Sequence, residues 1–308
     1  MMHRTTNNTL TALFCLFLFA AMTGSNEALA LKKVIVTGAG GQTGQSLFRK
    51  LLACPDEFEP LGLVRSEASK AALIESGISE SNIAVVDVTD RDAVAAVVGK
   101  DTVAFCIATS AKPIPGELDP DTGRPIFSFP NGGPDIVDWE GQKNQIDACP
   151  SGVHVVVCST MGGTDPNHPL NNLGRTIVDE KEIGGNIVKW KRKSEMYLIN
   201  KEKSDGLIYT IVHPGGLLNE PGSERELVIG VDDDLSYGDT ESRTVPREDV
   251  AQIMLESIRY PNVYGGRSFD LRAKPVGEGV VTTNFETLID SCLTGDKKNC
   301  DYSLGVTM

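Results

Sequence analysis

Short apolar runs alternate with amphipathic segments along most of this chain. The first run, residues 33–37, is followed by a glycine-rich turn and then by apolar positions three or four residues apart, such as Leu47 and Leu51 or Phe48 and Leu52. A short apolar run bounded by turns is typical of a buried strand, whereas this spacing is typical of an amphipathic helix. The pattern therefore predicts a strand, a turn and a helix in that order.

The same unit recurs down the chain. Further strands are predicted over residues 61–65, 83–88, 102–108, 154–158, 207–212 and 269–271, and helices over 68–73, 93–98, 135–148, 190–198, 250–258 and 285–293. This alternation predicts an α/β fold, a doubly wound parallel Rossmann sheet of about seven strands with helices on both faces and a small substrate-side C-terminal region. Residues 112–133 and 162–186 break the rhythm and are predicted to be loops above the carboxyl ends of the strands, where ligands bind.

The first 30 residues differ from the rest. Arg4 precedes the almost wholly apolar run Leu10–Met22, and Ala28 and Ala30 offer small residues at a cleavage spacing. A membrane-spanning helix needs about 20 apolar residues, so this run predicts a cleaved signal peptide over residues 1–30, with an uncleaved anchor as the other interpretation. We expect residues 31–308 to form a single domain in the secretory lumen or outside the cell. The plastid of an alga with a secondary plastid is the alternative.

Charge and cysteine content narrow the range of partners. The formal net charge of −13 disfavours nucleic acid and anionic lipid surfaces, and no segment after the leader is long and apolar enough to span a membrane. The seven cysteines include no Cys-x-x-Cys pair, so no metal site is predicted. Cys292 and Cys300 lie close enough in sequence for an oxidising compartment to join them.

The turn after the first strand carries the clearest motif. It consists of Gly38, Ala39, Gly40, Gly41, Gln42, Thr43 and Gly44. Glycines at the first, fourth and seventh positions serve a tight turn, a close approach of the backbone to a pyrophosphate, and close packing of helix on strand. Between a strand and a helix, this motif predicts a dinucleotide site.

Residues at the ends of the next two strands indicate which dinucleotide is bound. An NAD site places an acidic residue after the second strand, but this chain has Arg65, with Ser66 and Lys70 beyond it. We therefore expect NADP(H), with NAD(H) as the alternative because Glu67 can turn inward. Asp87, at the end of the third strand, is placed either to receive the adenine amino group or to cap the next helix.

Ser159 ends the fifth strand at the expected level of the nicotinamide. Its hydroxyl can bond a substrate carbonyl, whereas the ordinary role of serine at a strand end is to form a turn. Ser159 lacks the Gly-x-Ser-x-Gly elbow of a serine hydrolase, and nothing in the sequence pairs it with a base. We therefore regard hydrolase chemistry as poorly supported.

Taken together, these segments resemble the short-chain dehydrogenase/reductase superfamily, in particular its atypical plant and algal NAD(P)-binding members. The similarity covers nearly all of residues 31–308, through 36–44, 137–147, 159–164, 190–193, 214–218 and 245–251. The resemblance implies that Asn144 supports the site from the fourth helix and that Lys193 holds the nicotinamide ribose and, with Ser159, serves catalysis. It also implies a lining for the nicotinamide end formed by Pro214, Gly215, Gly216 and Leu217.

One departure from the family pattern concerns proton transfer. Catalytic members carry Tyr-x-x-x-Lys, but Lys189 stands four residues before Lys193. Tyr197 lies one turn on the other side of Lys193. It is a poor substitute because its ring starts about 6 Å beyond Lys193 along the helix axis. His213 stands where many relatives have arginine.

Two hypotheses follow from this departure. One is an NADP(H)-dependent oxidoreductase acting on an unidentified small carbonyl or alcohol. The other is a non-catalytic dinucleotide-binding protein that senses redox state or acts as a scaffold. A sugar-nucleotide epimerase relies on the same missing tyrosine, which counts against it.

Overall fold

The computed structural model describes residues 31–118, 120, 123, 125–178, 181–236, 242–295 and 298–305. The predicted signal peptide, residues 1–30, lies outside the described residues. Among the helices of the described part, none combines the length and the apolar character needed to cross a membrane.

Strands and helices alternate through the described chain. The strands are β1 (Lys32–Thr37), β2 (Phe58–Val64), β3 (Ile83–Val85), β4 (Thr102–Ile107), β5 (Ile114–Leu118), β6 (Pro125–Ser128), β7 (His154–Cys158), β8 (Thr176–Val178), β9 (Lys181–Ile183), β10 (Ile208–Pro214), β11 (Gly216–Leu218), β12 (Leu227–Gly230), β13 (Thr244–Pro246) and β14 (Arg267–Ala273). The α-helices are α1 (Gln42–Leu52), α2 (Glu67–Glu75), α3 (Arg91–Val97), α4 (Gln142–Ala148), α5 (Ile187–Asp205), α6 (Arg247–Arg259), α7 (Pro261–Tyr264) and α8 (Leu288–Cys292). A π-helical stretch, Asp135–Gly141, runs into α4, and short 3-10 turns span Glu80–Asn82, Pro169–Asn172 and Asp234–Ser236.

The central sheet has eight strands in the order β12-β14-β10-β7-β4-β1-β2-β3. The seven from β14 to β3 are parallel and correspond to the predicted strands, which confirms the doubly wound Rossmann architecture. The eighth, β12, pairs antiparallel with β14 and was not predicted. The order reverses between β1 and β4, where sheets of this type bind ligands.

The core lies in two layers, one on each face of the sheet. Because successive strand residues point to opposite faces, Val34 and Val36 pack with α1 and α6, whereas Ile35 packs with α4 and α5. Phe48 of α1 and Leu198 of α5 are fully buried on opposite faces. The two helix layers therefore bury the sheet and leave the ends of the strands free for a site.

Four expectations about local structure need correction. The predicted loop 112–133 contains the antiparallel hairpin β5–β6, and the loop 162–186 contains the hairpin β8–β9. Proline and glycine interrupt the apolar runs in these two stretches, so the sequence pattern did not predict the short strands. The helix predicted over 135–148 forms, but its first half is π-helical. The helix predicted over 285–293 is limited to Leu288–Cys292.

Candidate functional site

The glycine turn after β1 leaves the backbone at the start of α1 open. Gly38 has a φ of 68°, which favours glycine, and a Cβ there would lie 2.6 Å from the carbonyl oxygen of Ala108. A Cβ on Gly44 would overlap the carbonyl oxygen of Gly38. Gly41 is the N-cap residue of α1. No side chain caps the N-terminus of this helix, and no acidic residue lies in its first turn. This helix end can therefore receive an anion such as a pyrophosphate.

A cleft of about 210 Å³ opens beside this turn. It runs across the carboxyl ends of β1, β2, β3 and β4, as expected for the dinucleotide half nearest the adenine. Its lining consists of Gly38, Gly40, Gly41, Leu63, Val64, Arg65, Ser66, Ser69, Val86, Asp87, Val88, Thr109, Ser110, Ala111, Lys112, Asn131 and Val137. Gly40 forms part of this wall, and a Cβ there would project beside Val64 and Ser69. The described residues therefore fit the adenosine and phosphate groups of a dinucleotide.

Arg65 lies at the rim of the cleft with a group of polar side chains. Its Nη1 donates to the carbonyl oxygen of Asn131 at 3.2 Å. Ser66 caps α2 and lies 3.0 Å from the Ser69 hydroxyl, oxygen to oxygen. Lys112, from the segment after β4, adds a second cation to the lining. Ser69, Asn131 and Lys112 were missed by the sequence analysis because they come from separate segments whose approach only the fold reveals.

Lys70 does not belong to this group. Its ammonium pairs with Glu80 at 2.8 Å, and the lysine is absent from the cleft lining. On a helix, the position after Ser69 turns away from the face that Ser69 presents. Lys70, although close to Arg65 in the sequence, therefore does not line the cleft with it. Glu67, in the first turn of α2, is exposed and is also absent from the lining.

Asp87 lines the cleft and does not cap the next helix. Its Oδ1 accepts hydrogen bonds from the backbone N–H and the hydroxyl of Thr89, at 2.9 and 2.8 Å. Asp90 caps α3 instead. Asn144 stands behind the same loop, where its Nδ2 donates to the carbonyl oxygens of Val88 and Thr89 at 3.2 and 3.1 Å. Asn144 thus supports the wall of the cleft from outside it.

Ser159 is joined to a buried chain of polar groups. Its hydroxyl donates to Oε1 of Glu195, and Oε2 of Glu195 lies 3.1 Å from Nε2 of His213. Burial raises the pKa of Glu195, but His213, Arg192 and Ser159 outweigh it and hold that pKa at about 2. Burial lowers the pKa of His213, but Glu195, Cys300 and Asp270 together outweigh it and hold that pKa well above its usual value.

The sequence analysis found no base paired with Ser159, and it did not predict this contact with Glu195. The carboxylate of Glu195, rather than an imidazole, contacts the serine, and a group with a pKa of about 2 is a weak base. The arrangement consequently differs from the Ser-His-Asp triad, in which the imidazole contacts the serine. The hydrogen-bonded groups Glu195 and His213 therefore orient the Ser159 hydroxyl instead of activating it as a nucleophile.

Two lysines of α5 lie in different surroundings. The Lys191 ammonium is buried and pairs with the Asp138 carboxylate at 2.8 Å, and Asp138 also accepts the backbone N–H of Ala111. Burial lowers the pKa of Lys191, but Asp138 outweighs it and raises that pKa. The Lys193 ammonium instead lies 4.3 Å from the ring centre of Trp139. Lys191, which the sequence analysis did not select, is thus the buried lysine, and Asp138 links it to the backbone of Ala111 in the cleft lining.

The segment after β10 occupies the opposite half of the same sheet edge. The backbone N–H of Met161 donates to the carbonyl oxygen of Pro214, and the N–H of Gly215 donates to that of Leu271. Gly216 and Leu217 belong to β11, which pairs with β13. Pro214–Leu217 therefore lie beside the segment that follows Ser159, although they do not line the 210 Å³ cleft.

Tyr197 lies away from the serine. Its hydroxyl donates to Oδ1 of Asp147 at 2.5 Å, and its ring lies near the ammonium groups of Lys143 and Lys201. Burial and the Asp147 carboxylate raise the pKa of this phenol. These contacts agree with the expectation that Tyr197 is a poor substitute for the missing tyrosine.

Comparisons with known proteins agree with this geometry. A family model described as NAD(P)H-binding matches residues 38–261. An uncharacterized chloroplastic protein of Arabidopsis thaliana is 41% identical over 268 residues, which cover 85% of this chain and 75% of that protein. Sanguinarine reductase of Eschscholzia californica is 38% identical over 284 residues, 85% of this chain and 96% of the enzyme. A wide-type short-chain dehydrogenase/reductase of Veillonella parvula, solved with NADP, shares the fold at 14% identity, with a TM-score of 0.52 over 82% of this chain and 99% of its own.

Proposed function

The chain belongs to the NAD(P)H-binding family of Rossmann-fold proteins, of the atypical short-chain dehydrogenase/reductase type, and from this premise we propose that it is an NADP(H)-dependent oxidoreductase. Its substrate is a small carbonyl compound or the corresponding alcohol. The observation that carries this proposal is the polar group Arg65, Ser66, Ser69 and Lys112 at the rim of a cleft that begins at the open end of α1. A relative that is 38% identical over 85% of this chain is named as a reductase, which supports this class of reaction.

The preference for NADP(H) over NAD(H) rests on the rim of the cleft. A ribose 2′-phosphate is a dianion that binds well to a planar guanidinium and to hydroxyl groups at a helix N-terminus. Arg65 supplies the guanidinium, and Ser66 and Ser69 supply hydroxyl groups in the first turn of α2. Glu67, the acidic residue available to a ribose diol, lies outside the lining.

The substrate is placed where the segments after β7 and β10 meet. With NADPH bound, the cofactor would supply a hydride to the carbonyl carbon, and a proton would complete the alcohol at its oxygen. Ser159 presents one hydroxyl group there, which donates to Glu195 and leaves its lone pairs for a substrate hydroxyl. Rotation about the Cβ–Oγ bond lets the same hydroxyl donate to a carbonyl oxygen instead.

We assign the proton that completes the alcohol to a water molecule. Four residues before Lys191 stands Ile187, and four before Lys193 stands Lys189, so neither lysine is preceded by the family's tyrosine. Glu195 stays ionised, which makes it an acceptor that holds Ser159 in place. Lys191 holds Asp138 and, through it, the Ala111 segment that borders the cleft.

Transfer of deuterium tests the proposal. NADPH carrying deuterium at C4 of the nicotinamide, on each face in turn, is incubated with the protein and a panel of aldehydes and ketones, and the products are analysed by mass spectrometry. We expect deuterium in one alcohol product from one face only, and loss of the transfer in Ser159→Ala with NADPH affinity unchanged. Absence of deuterium from every product, despite saturation with NADPH, contradicts the proposal.

A non-catalytic dinucleotide-binding protein is the second candidate. The missing tyrosine favours it, since the site then retains binding groups without the family's acid. In this case the cofactor would report redox state to a partner through the segments that contain β5–β6 and β8–β9. The same experiment separates the candidates, because a binder retains NADPH affinity and yields no deuterated product.

We also propose that the mature protein begins at Leu31 and is exported through the secretory pathway. The apolar run Leu10–Met22 and the small residues before Leu31 support this processing. N-terminal sequencing of the protein from its native cells is expected to start at Leu31. An intact residue 1–30 segment contradicts the proposal.

A further inference from the structure

Three potential metal ligands meet beneath the C-terminal segment 298–305. Nδ1 of His213 lies 3.4 Å from Oδ1 of Asp270 and 3.4 Å from Sγ of Cys300, and the sulfur lies 3.9 Å from the same Asp270 oxygen. All three side chains are buried, with 4%, 1% and 7% exposure. They come from β10, β14 and the C-terminal segment, and the proposed reductase chemistry uses none of the three as a contact for substrate or cofactor.

These separations match one face of a zinc coordination tetrahedron. Zinc binds histidine nitrogen and carboxylate oxygen at about 2.0–2.2 Å and thiolate sulfur at about 2.3 Å, which places the ligand atoms about 3.3–3.7 Å apart. The observed separations of 3.4, 3.4 and 3.9 Å are close to these values. Small side-chain movements are therefore sufficient to close the three ligands on one ion.

The other nitrogen of His213 already has the partner that a metal-binding histidine needs. Its Nε2 faces the Glu195 carboxylate at 3.1 Å. A carboxylate that accepts the N–H on the far side of the ring fixes the tautomer and the ring orientation and strengthens the nitrogen as a ligand.

Space for a fourth ligand lies next to the three. A small cavity of about 10 Å³ is lined by His213, Asp270 and Cys300 and also by Asp233, Glu195 and Thr160. That volume is about the minimum that holds one water molecule, and this site offers polar partners for it. A solvent molecule can thus complete a four-coordinate site.

We propose that His213, Asp270 and Cys300 bind one Zn²⁺ ion per chain, with a solvent molecule as the fourth ligand. A set of imidazole, carboxylate and thiolate donors suits zinc and disfavours magnesium and calcium, which require oxygen ligands. Binding removes the thiol proton from Cys300 and the Nδ1 proton from His213, and both protons leave to solvent. The ion fastens the segment 298–305 to the sheet and, through Glu195, holds the hydroxyl of Ser159. The site does not depend on the protein being a reductase.

Metal analysis of the purified full-length protein tests this site. The protein is kept reduced with a non-chelating phosphine, loaded with Zn²⁺, desalted and analysed for zinc and protein. We expect one zinc per chain in the unaltered protein and in Cys292→Ser, a matched control at an exposed cysteine. We expect at least about 100-fold weaker binding in Cys300→Ser, and about 10- to 100-fold weaker binding in Glu195→Gln. No retained zinc in the unaltered protein, or equal retention in Cys300→Ser, overturns the proposal.

A second measurement keeps the test independent of how the variants fold. Co²⁺ is added to the unaltered protein in place of Zn²⁺, and absorption is recorded. We expect a thiolate-to-cobalt charge-transfer band, together with visible bands of tetrahedral intensity. A cobalt complex without the thiolate band overturns the proposal, and so does a Cys292–Cys300 disulfide in the protein isolated from its native cells. Both measurements detect bound metal and not turnover. They therefore test the metal site even if the protein shows no reductase activity.

Discussion

The buried hydroxyl of Ser159 donates a hydrogen bond to the carboxylate of Glu195, 36 residues further along the chain. Ser159 directly follows β7 and Glu195 lies on α5, so the bond joins the sheet edge to the helix that covers it. It fixes the orientation of the hydroxyl group that the proposed reaction uses. The ionised state of Glu195 is in turn maintained by His213 and Arg192.

Substitution of Arg65 by alanine is expected to change cofactor preference. The guanidinium is the strongest ligand for a ribose 2′-phosphate in the cleft, so NADPH should bind about 10- to 100-fold more weakly while NADH affinity changes little. Calorimetric titration with both cofactors measures this. Lys70→Ala is the matched control, since this nearby cation pairs with Glu80. An equal loss for NADH, or an equal effect in Lys70→Ala, contradicts the assignment of Arg65.

Two glycines of the turn are expected to respond differently to alanine. In Gly40→Ala the added methyl group lies 3.4 Å from its nearest neighbours and projects into the cleft, so dinucleotide affinity should fall with little change in Tm. In Gly44→Ala the methyl group overlaps the Gly38 carbonyl, and stability should fall by about 1–3 kcal/mol as well. Thermal denaturation and titration of both variants provide the comparison. Unchanged stability in Gly44→Ala shows that α1 and the turn are less closely packed than described.

The two hydroxyl groups near α5 are expected to differ in their effect on turnover. Ser159→Ala should lower kcat by about 100-fold or more, because the group that contacts the substrate oxygen is lost. Tyr197→Phe should stay within about twofold of the unaltered protein, since its hydroxyl faces Asp147. Steady-state kinetics on whichever carbonyl substrate is found measures both. A larger loss of kcat in Tyr197→Phe than in Ser159→Ala would show that the Tyr197 phenol donates the proton.

The two lysines of α5 are expected to differ in their contribution to stability. Lys191→Ala leaves the buried carboxylate of Asp138 without its cation and should cost about 3–5 kcal/mol of the free energy of unfolding. Lys193→Ala removes a cation–π contact with Trp139 and should cost about 1 kcal/mol or less. Urea denaturation of both variants tests the difference. Equal losses of unfolding free energy in Lys191→Ala and Lys193→Ala would show that Lys191 and Asp138 do not form a buried ion pair.

His154 is expected to make stability depend on pH. Its Nε2 lies 2.8 Å from the Thr210 hydroxyl oxygen, and burial, with a smaller effect of Lys32, lowers its pKa to about 4. The unfolded chain takes up the proton near pH 6.5, so this contribution to stability is present above pH 6.5 and is lost as pH falls towards 4. The slope is at most about 1.4 kcal/mol per pH unit. His154→Gln should reduce the slope by that amount in urea denaturation between pH 4 and 6.5, and an unchanged slope rules out the titration.

Much of the fold follows from the sequence because strands buried on both faces read as continuous apolar runs. The seven parallel strands and the glycine turn are of this kind. The strand β12 is short, lies at the sheet edge and follows a charged segment, so its pattern is weak. The hairpins β5–β6 and β8–β9 lie in stretches rich in glycine and proline or without clear periodicity, where apolar patterning gives little signal.

The candidate site was less accessible to such reasoning because its contacts join distant segments. Glu195 and His213 are 18 residues apart, and His213 and Cys300 are 87 apart. On α5 the choice between two lysines depends on helix phase, since residues two positions apart point to nearly opposite faces. Lys191 faces Asp138, whereas Lys193 faces Trp139, and the motif alone does not give that phase.

Calorimetric titration of the protein with NADPH and NADH, followed in the same cell by a panel of small carbonyl compounds, separates an NADP(H)-dependent reductase from a protein that only binds the cofactor. We expect saturable binding of NADPH at one site per chain, weaker binding of NADH, and oxidation of NADPH by at least one carbonyl in a reaction that depends on Ser159. Binding of neither dinucleotide would contradict the assignment of the cleft, and binding without oxidation by any carbonyl would contradict the reductase.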